Sequence, residues 1–508
     1  MQIRQHVGAD KPAVILYPSG TVVTFDELEA RANRLAHRFR QAGLREGDTV
    51  AILMENNQHI HAVMWAARRS GLYYVPINTH LTAAEAAYIV DNSNAKAIIG
   101  SAALRDTLVQ LGDHLPALPE LLMIASKKGE ADLPGWECYP ECVANQPDTP
   151  IDDEIEGDLL QYSSGTTGRP KGIKRELPHV PPAEAPGMMS ALVEFWMTPD
   201  SIYLSPAPLY HTAPSVWSMS AQAGGITTVV LEKFDAEGTL DAIQRHRVTH
   251  GQFVPAMFTR MLKLPAAVRD SYDLSSLQRV MHAAAPCPVE IKKQMIDWWG
   301  PIIDEYYASS EAIGSTLISA EEWLAHPGSV GRPMACQIHI LGEDGTELPP
   351  GQPGEIYFEG GFSFEYLNDP TKTAASRDAH GWATVGDIGY VDEEGYLYLT
   401  DRRHHMIISG GVNIYPQETE NLLVTHPKVL DAAVFGVPDD EMGQRVMAAV
   451  QTVDPADATD QFADELSAWL RDRLAHYKCP RSIAFEAQLP RTDTGKLYKN
   501  GLIEKYSV

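Results

Sequence analysis

Tyr162-Ser-Ser-Gly-Thr-Thr-Gly-Arg-Pro-Lys171-Gly172 is the stretch from which the rest of the chain can be read. It carries glycines at 165, 168 and 172, the hydroxyls of Ser163, Ser164, Thr166 and Thr167, and the cations Arg169 and Lys171. Leu159 and Leu160 lead into it as the end of a buried strand would. Glycine admits positive φ and lets the backbone approach a ligand closely. Successive N–H groups in such a loop form an anion-binding nest, and the hydroxyls add donors. The stretch therefore predicts a phosphate cradle; the competing reading is a polar surface turn. It is not a Walker A loop, because Lys171 is followed by Gly172 rather than Ser or Thr.

Upstream of the loop the pattern alternates. Thr24-Phe-Asp-Glu27 is a capping box, and Leu28, Ala32, Leu35, Ala36 and Phe39 mark one helical face that Gly43 is placed to end. Short apolar runs at 50–53, 73–77 and 97–100 read as strands, with helices at 63–71 and 82–90 between them. Residues 131–157, rich in Pro, Asp and Glu, read as a surface connection. Downstream, strands at 201–205, 227–231 and 251–255 resume the alternation with a helix at 238–246. Strand–helix alternation predicts βαβ units and parallel sheets. Residues 330–400 change to short strands separated by turns, which predicts antiparallel, barrel-like β structure or a small sheet. The last hundred residues read as a small α+β unit. The predicted organisation is an α/β protein. A large domain over 1–400 holds two parallel-sheet subdomains and the barrel-like part, a hinge covers 401–405, and a small mobile α+β domain covers 406–508.

The net charge of −26 over 508 residues opposes electrostatic binding to nucleic acid or anionic lipid, so an anionic substrate must be met by local cations and a metal. Five cysteines (138, 142, 287, 336, 479), sparse and odd in number, suit a reducing compartment; Cys138 and Cys142 have no second ligand pair nearby to make a zinc site. With no apolar leader and no run of 18 apolar residues, the expectation is a cytoplasmic protein without a membrane span. No motif specifies an oligomeric state.

Four further stretches carry chemistry. Tyr306-Tyr-Ala-Ser-Ser-Glu311 sets hydroxyls beside a carboxylate, which suits Mg²⁺ shared with phosphates but also suits a helix cap. Met281-His-Ala-Ala-Ala-Pro286 is rich in small residues that admit a flat ring or allow tight packing. Gly381-Trp-Ala-Thr-Val-Gly-Asp387 ends in a carboxylate able to accept two hydrogen bonds from a vicinal diol. Pro490-Arg-Thr-Asp-Thr-Gly-Lys496 ends in a lysine, a mobile point charge.

Taken together these stretches closely resemble the adenylate-forming enzymes: acyl- and aryl-CoA ligases, firefly-type luciferases and nonribosomal adenylation domains. Residues 162–172 are similar to that family's (Y/T)(S/T)SGTTGxPKG loop. The resemblance implies that Ser163, Ser164, Gly165, Thr166, Thr167, Gly168 and Lys171 hold phosphates. Residues 306–311 resemble YGSTE, which implies that Tyr307 stacks adenine, Ser310 contacts phosphate and Glu311 binds Mg²⁺. Ala308 and Ser309 complete that motif, with Ala308 in place of Gly and Ser310 in place of Thr. The GGAP-like segment implies that Ala284, Ala285 and Pro286 flank the adenine and that Ala283 borders the acid. Asp387 matches the aspartate that binds ribose, although Val385 stands where Thr is usual, and Arg402 matches an arginine at ribose or phosphate. Lys496 matches the adenylating lysine. His211 resembles a residue gating the acid pocket, with Trp217, Phe253 and Met257 as possible walls or plain core.

The family hinge commonly reads DRKKD-like; here Asp401-Arg402-Arg403-His404-His405 puts two histidines where a cation and an acid are usual. Ser409-Gly410-Gly411 matches the loop that builds the pantetheine tunnel in CoA ligases. The expected activity is ATP- and Mg²⁺-dependent activation of a small carboxylic acid as an acyl-adenylate, with release of pyrophosphate. Transfer to CoA thiol follows. An amide synthetase using an amine is the alternative, and a nucleotide-binding pseudoenzyme a remote one.

Overall fold

A computed structural model describes residues 8, 10–125, 133–163, 170–185, 196–402, 405–410, 412–439, 441–491 and 497–507, with only the backbone of 401, 402 and 413. The chain divides into two units. One comprises Met1–Gln252, Asp273–Gln278 and Phe362–Ala375; the other comprises Phe253–Tyr272, Arg279–Gly361 and Ser376–Val508.

The first unit is built on parallel sheets. Helix Phe25–Gln41 starts where the sequence places its box: the Thr24 hydroxyl accepts from the Glu27 N–H, and the Glu27 carboxylate accepts from the Thr24 N–H. Its apolar stripe, Leu28, Ala32, Leu35 and Phe39, is buried, and Gly43 follows at φ +86°, a conformation that costs residues with a Cβ. The first sheet runs Glu137–Tyr139, Leu121–Ala125, Ala95–Ser101, Thr49–Leu53, Tyr73–Pro76 and Asp158–Leu159, parallel throughout. All five residues of Thr49–Leu53 are buried, as expected of a strand covered on both faces. Residues 137–139 thus form an edge strand inside the stretch read as a connection. Three residues give no legible alternation, and their pairing is supplied by Met123, Ile124 and Ala125.

The second sheet of this unit runs His250–Phe253, Ile202–Ser205, Thr227–Leu231, Pro12–Tyr17 and Val22–Thr24. Its pairs are parallel except for the last, a hairpin. A three-stranded antiparallel ribbon, Gln161–Ser163, Lys171–Lys174 and Glu365–Tyr366, brackets residues 164–169.

In the second unit, Arg279–His282 lies parallel to Ile303–Ala308. From there the order Ser315–Ile318, Ser329–Pro333, Leu397–Arg402, Asp387–Val391, Gly354–Glu359 and Gln337–Leu341 is antiparallel, as the turn-punctuated sequence predicts. The carboxyl-terminal part has its own sheet, Val412–Ile414, Ile407–Ser409, Gly443–Thr452 and Val429–Asp439, with Ser482–Phe485 parallel to Gly443–Thr452. Helix Asp460–Arg471, N-capped by Thr459, closes a core of Val434, Val446, Ala448, Phe462, Leu466 and Leu470. The architecture is mixed α/β, with large parallel sheets in the amino-terminal part and a separate carboxyl-terminal domain. No helix among the described residues is long and apolar enough to cross a membrane.

Candidate active site

Strand Ile303–Ala308 carries Tyr306 and Tyr307 within it rather than after it, so alternation puts the two rings on opposite faces. Tyr307 packs its ring against Phe358, with centroids 6.0 Å apart, and its hydroxyl donates to Asp387 Oδ2 at 2.6 Å. Two motifs far apart in the chain thus meet through one charge-assisted hydrogen bond. Asp387 opens strand Asp387–Val391 and is buried. It follows Gly386 at φ +80°, a turn that favours glycine. The Thr384 hydroxyl accepts from the Gly386 N–H at 3.0 Å and donates to Glu355 at 3.2 Å. That hydroxyl therefore fixes the turn. Arg402 is the backbone partner of Asp387 across the antiparallel pair.

Beyond Ala308 the strand gives way to a turn in which the Ala312 N–H donates to the Ser309 carbonyl. Glu311 is buried, and the Ser309 hydroxyl oxygen is buried with no hydrogen-bond partner among the described residues. Ser310 is half-buried. A buried hydroxyl without a partner is costly unless a ligand supplies one. Ala312 and Ala284 both adopt positive φ, 55° and 74°. Ala284 stands where the resemblance carries glycine. Non-glycine residues in this region are strained, and such strain clusters at functional sites. Ala283 is buried, Ala285 half-buried, and Ala284 and Pro286 exposed.

Other predicted residues fall into packed surroundings. Phe253 is 0% exposed, edge-on to Trp299 and tilted on Phe258, and Met257 is buried with it. In the first unit, His211 precedes helix Thr212–Ala223 as its N-cap residue and packs against Tyr210, while Trp217 is buried edge-on to Trp196. Ser163 and Lys171 are directly paired at the base of the ribbon, and the Lys171 ammonium lies 5.0 Å above the Tyr366 ring.

Gly410 takes φ +57° and donates its N–H to the Met442 carbonyl; Ser409 pairs with Gly443. His405 is half-buried. The predicted residues Ser164, Gly165, Thr166, Thr167, Gly168, Arg403, His404, Gly411 and Lys496 lie outside the described residues, as do the side chains of Asp401 and Arg402. No group of three or more His, Cys, Asp or Glu side chains among the described residues forms a metal cage.

A buried trio with no local sequence signal lies behind the small-residue segment. Lys292 Nζ donates to Glu305 Oε2 at 2.7 Å, and His282 Nε2 lies 3.2 Å from the same oxygen. His282 and Glu305 are register partners across parallel strands, a relation no local pattern reveals.

The chain matches two family models: AMP-binding enzyme over residues 2–365 and AMP-binding enzyme C-terminal domain over residues 418–496. It is 34% identical over 493 residues to a feruloyl-CoA synthase of Amycolatopsis sp, covering 96% of this chain and 94% of that protein. It is 32% identical over 492 residues to a 2-succinylbenzoate–CoA ligase of Bacillus pumilus, covering 95% and 93%. Among solved structures it is similar to amide bond synthetase McbA from Marinactinospora thermotolerans, with a TM-score of 0.81 at 27% identity over 99% of this chain and 98% of that one. The chain belongs to the AMP-binding, adenylate-forming enzyme family and is an AMP-forming acid ligase.

Proposed function

We propose that the protein activates an apolar aromatic, cyclic or medium-chain carboxylic acid with ATP and passes the acyl group to the thiol of CoA. The observation that carries the nucleotide side of this reading is the Tyr307–Asp387 hydrogen bond, which joins the adenine motif to the ribose motif. The substrate carboxylate oxygen attacks the α-phosphorus of ATP and pyrophosphate leaves, giving an acyl-adenylate. The CoA sulfur then attacks the acyl carbon and AMP leaves. The protein contributes positioning and charge neutralisation.

In this reading Tyr307 stacks adenine and Asp387, with Arg402, holds ribose. Ser163, Lys171, the 164–168 loop, Ser309 and Ser310 face phosphates, while Ala284, Ala285, Pro286 and Ala308 border the base. Lys496 neutralises charge at the α-phosphate. The buried Glu311 carboxylate is a hard oxygen ligand and would hold Mg²⁺ together with substrate phosphates, where the ion supplies charge neutralisation. Acid-facing roles go to His211, Trp217, Phe253, Met257 and Ala283. Residues 1–400 form the adenylating domain. Residues 401–405 are the hinge, with His404 and His405 beside Asp401 and Arg403, and 406–508 the mobile domain that brings Ser409, Gly410 and Gly411 to the acceptor.

Asp387→Asn keeps the shape and removes the charge that both Tyr307 and a ribose diol address. The expected result is a rise of about tenfold in the KM for ATP with a smaller change in kcat, the scale of one hydrogen bond to a charged group. Pyrophosphate release against ATP concentration measures it, and an unchanged KM would remove Asp387 from the ribose.

The CoA preference is supported by the feruloyl and succinylbenzoate relatives, and the second reading, amide formation, by the likeness to McbA. An acid panel with CoA and amines offered in parallel decides between them. The expected outcome is thioester formation, with higher kcat/KM on an aryl or medium-chain acid than on acetate. A best rate on acetate refutes the acid class, and amide formation in preference to thioester refutes the acceptor.

A further inference from the structure

We propose that Lys292, Glu305 and His282 are positioning residues for the nucleotide: a buried charge cluster that fixes the 283–286 segment against the strand bearing Tyr307. This rests on the adenylation reading above. The three side chains come from three successive elements. His282 ends strand Arg279–His282 immediately before the segment, Lys292 lies in helix Val289–Trp299 just after it, and Glu305 lies in strand Ile303–Ala308. The cluster therefore ties both ends of the segment to one strand. Glu305 and Tyr307 are two residues apart, so they share a face of that strand.

The cluster is fully enclosed. The side chains of Lys292 and His282 are 0% exposed and that of Glu305 is 6% exposed. Lys292 lies 4.7 Å from the centre of the buried Trp323 ring, and Phe258 meets the His282 ring edge-on at 5.5 Å. His282 Nε2 lies 3.2 Å from Glu305 Oε2, and His282 Nδ1 has no hydrogen-bond partner among the described residues. Burial pushes the His282 imidazole below its ordinary range, against the pull of Glu305 in the opposite direction. Burial also pushes the Glu305 carboxyl up, but the groups beside it outweigh that and hold it below the usual carboxylate range.

Replacing a buried ion pair by apolar residues of similar volume is often neutral or stabilising, so stability is weak ground for burying Lys292 with Glu305. Two fixed charges with one geometry do explain a segment held in a strained conformation, and Ala284 in that segment has φ 74°.

The groups facing His282 are few. Glu305 comes from the neighbouring strand and Lys292 from the helix. Asp304 is tied to Arg279 at 2.6 Å, and half-buried Cys287 has a thiol that burial and then Glu305 push up. Phe258 and Trp323 bring no charge. Removing the lysine charge leaves Glu305 with only His282, so protonation of His282 should restore the pair as pH falls.

The test is equilibrium binding of Mg·ATP to the full chain without acid, alongside melting temperature and the KM for the acid. In Lys292→Met, ATP binding is expected to weaken about tenfold at roughly pH 8 and to recover largely by roughly pH 6, while the native protein stays flat. In Lys292→Met with Glu305→Gln, which leaves no lone buried charge, the native melting temperature is expected with about tenfold weaker ATP binding and no recovery at low pH. The KM for the acid should rise less than the Kd for ATP in both variants, because Ala283 is the one residue of the segment assigned to the acid while Ala284, Ala285 and Pro286 border the base. Native ATP affinity in the double variant overturns the inference, as does failure of that variant to fold, since the cluster would then serve the fold alone. A native protein that neither binds ATP nor releases pyrophosphate with acid would instead sink the adenylation reading, and this inference with it.

Discussion

Lys496→Ala is expected to lower acid-dependent pyrophosphate release about a thousandfold, the upper range for removing one group that stabilises developing charge. Attack of a carboxylate on a triphosphate brings two anions together, and the chain is itself strongly acidic at −26. A cation must therefore be delivered locally, and Lys496, following Gly495 in the Pro490–Lys496 motif, is the residue proposed to deliver it. The second step needs no such charge at the α-phosphate. Transfer from a supplied acyl-adenylate to CoA should stay within about threefold of native, because only a group acting in one transition state is lost. Comparable losses in both half-reactions would show a general defect, and a native rate of pyrophosphate release would remove Lys496 from the site.

Glu311→Gln is expected to reduce pyrophosphate release about a hundredfold at physiological Mg²⁺, on the scale of losing one electrostatic contact to a reacting phosphate. The amide keeps the shape of the side chain and one oxygen but loses the charge that makes it a magnesium ligand. Raising Mg²⁺ should recover part of the rate, because phosphates remain as ligands. A titration that superimposes on the native one would exclude Glu311. Because Glu311 is buried, the melting temperature should be recorded in parallel, so that unfolding is not mistaken for metal loss.

What the sequence discloses follows from how local each device is. The phosphate cradle is an expectation drawn from glycine and hydroxyl spacing alone, and its residues 164–169 lie outside the described residues. The helix at Phe25–Gln41 is legible because the Thr24–Glu27 box and the stripe to Phe39 lie within one element. The Tyr307–Asp387 bond is not, since it joins residues eighty positions apart and appears only once antiparallel strands are in register. The trio His282, Glu305 and Lys292 is hidden for a related reason. A histidine before three alanines reads as part of a small-residue turn, and only the parallel pairing of its strand with Ile303–Ala308 reveals the carboxylate beside it. The part played by Thr384, whose hydroxyl accepts from the Gly386 N–H and reaches Glu355, is hidden in the same way, because Glu355 lies far from it in the chain. The positive φ of Ala284 and Ala312 has no sequence signal, because alanine announces no left-handed preference.

Activation through an acyl-adenylate and then thioester formation is the reaction proposed for the protein. A single-turnover reaction with aryl acid, Mg·ATP and CoA, quenched over time and resolved by mass, tests it most directly. Acyl-adenylate and pyrophosphate are expected to rise first, with acyl-CoA and AMP following as the adenylate decays. Release of ADP and phosphate, or acyl-CoA formed with no acyl-adenylate before it, would contradict it.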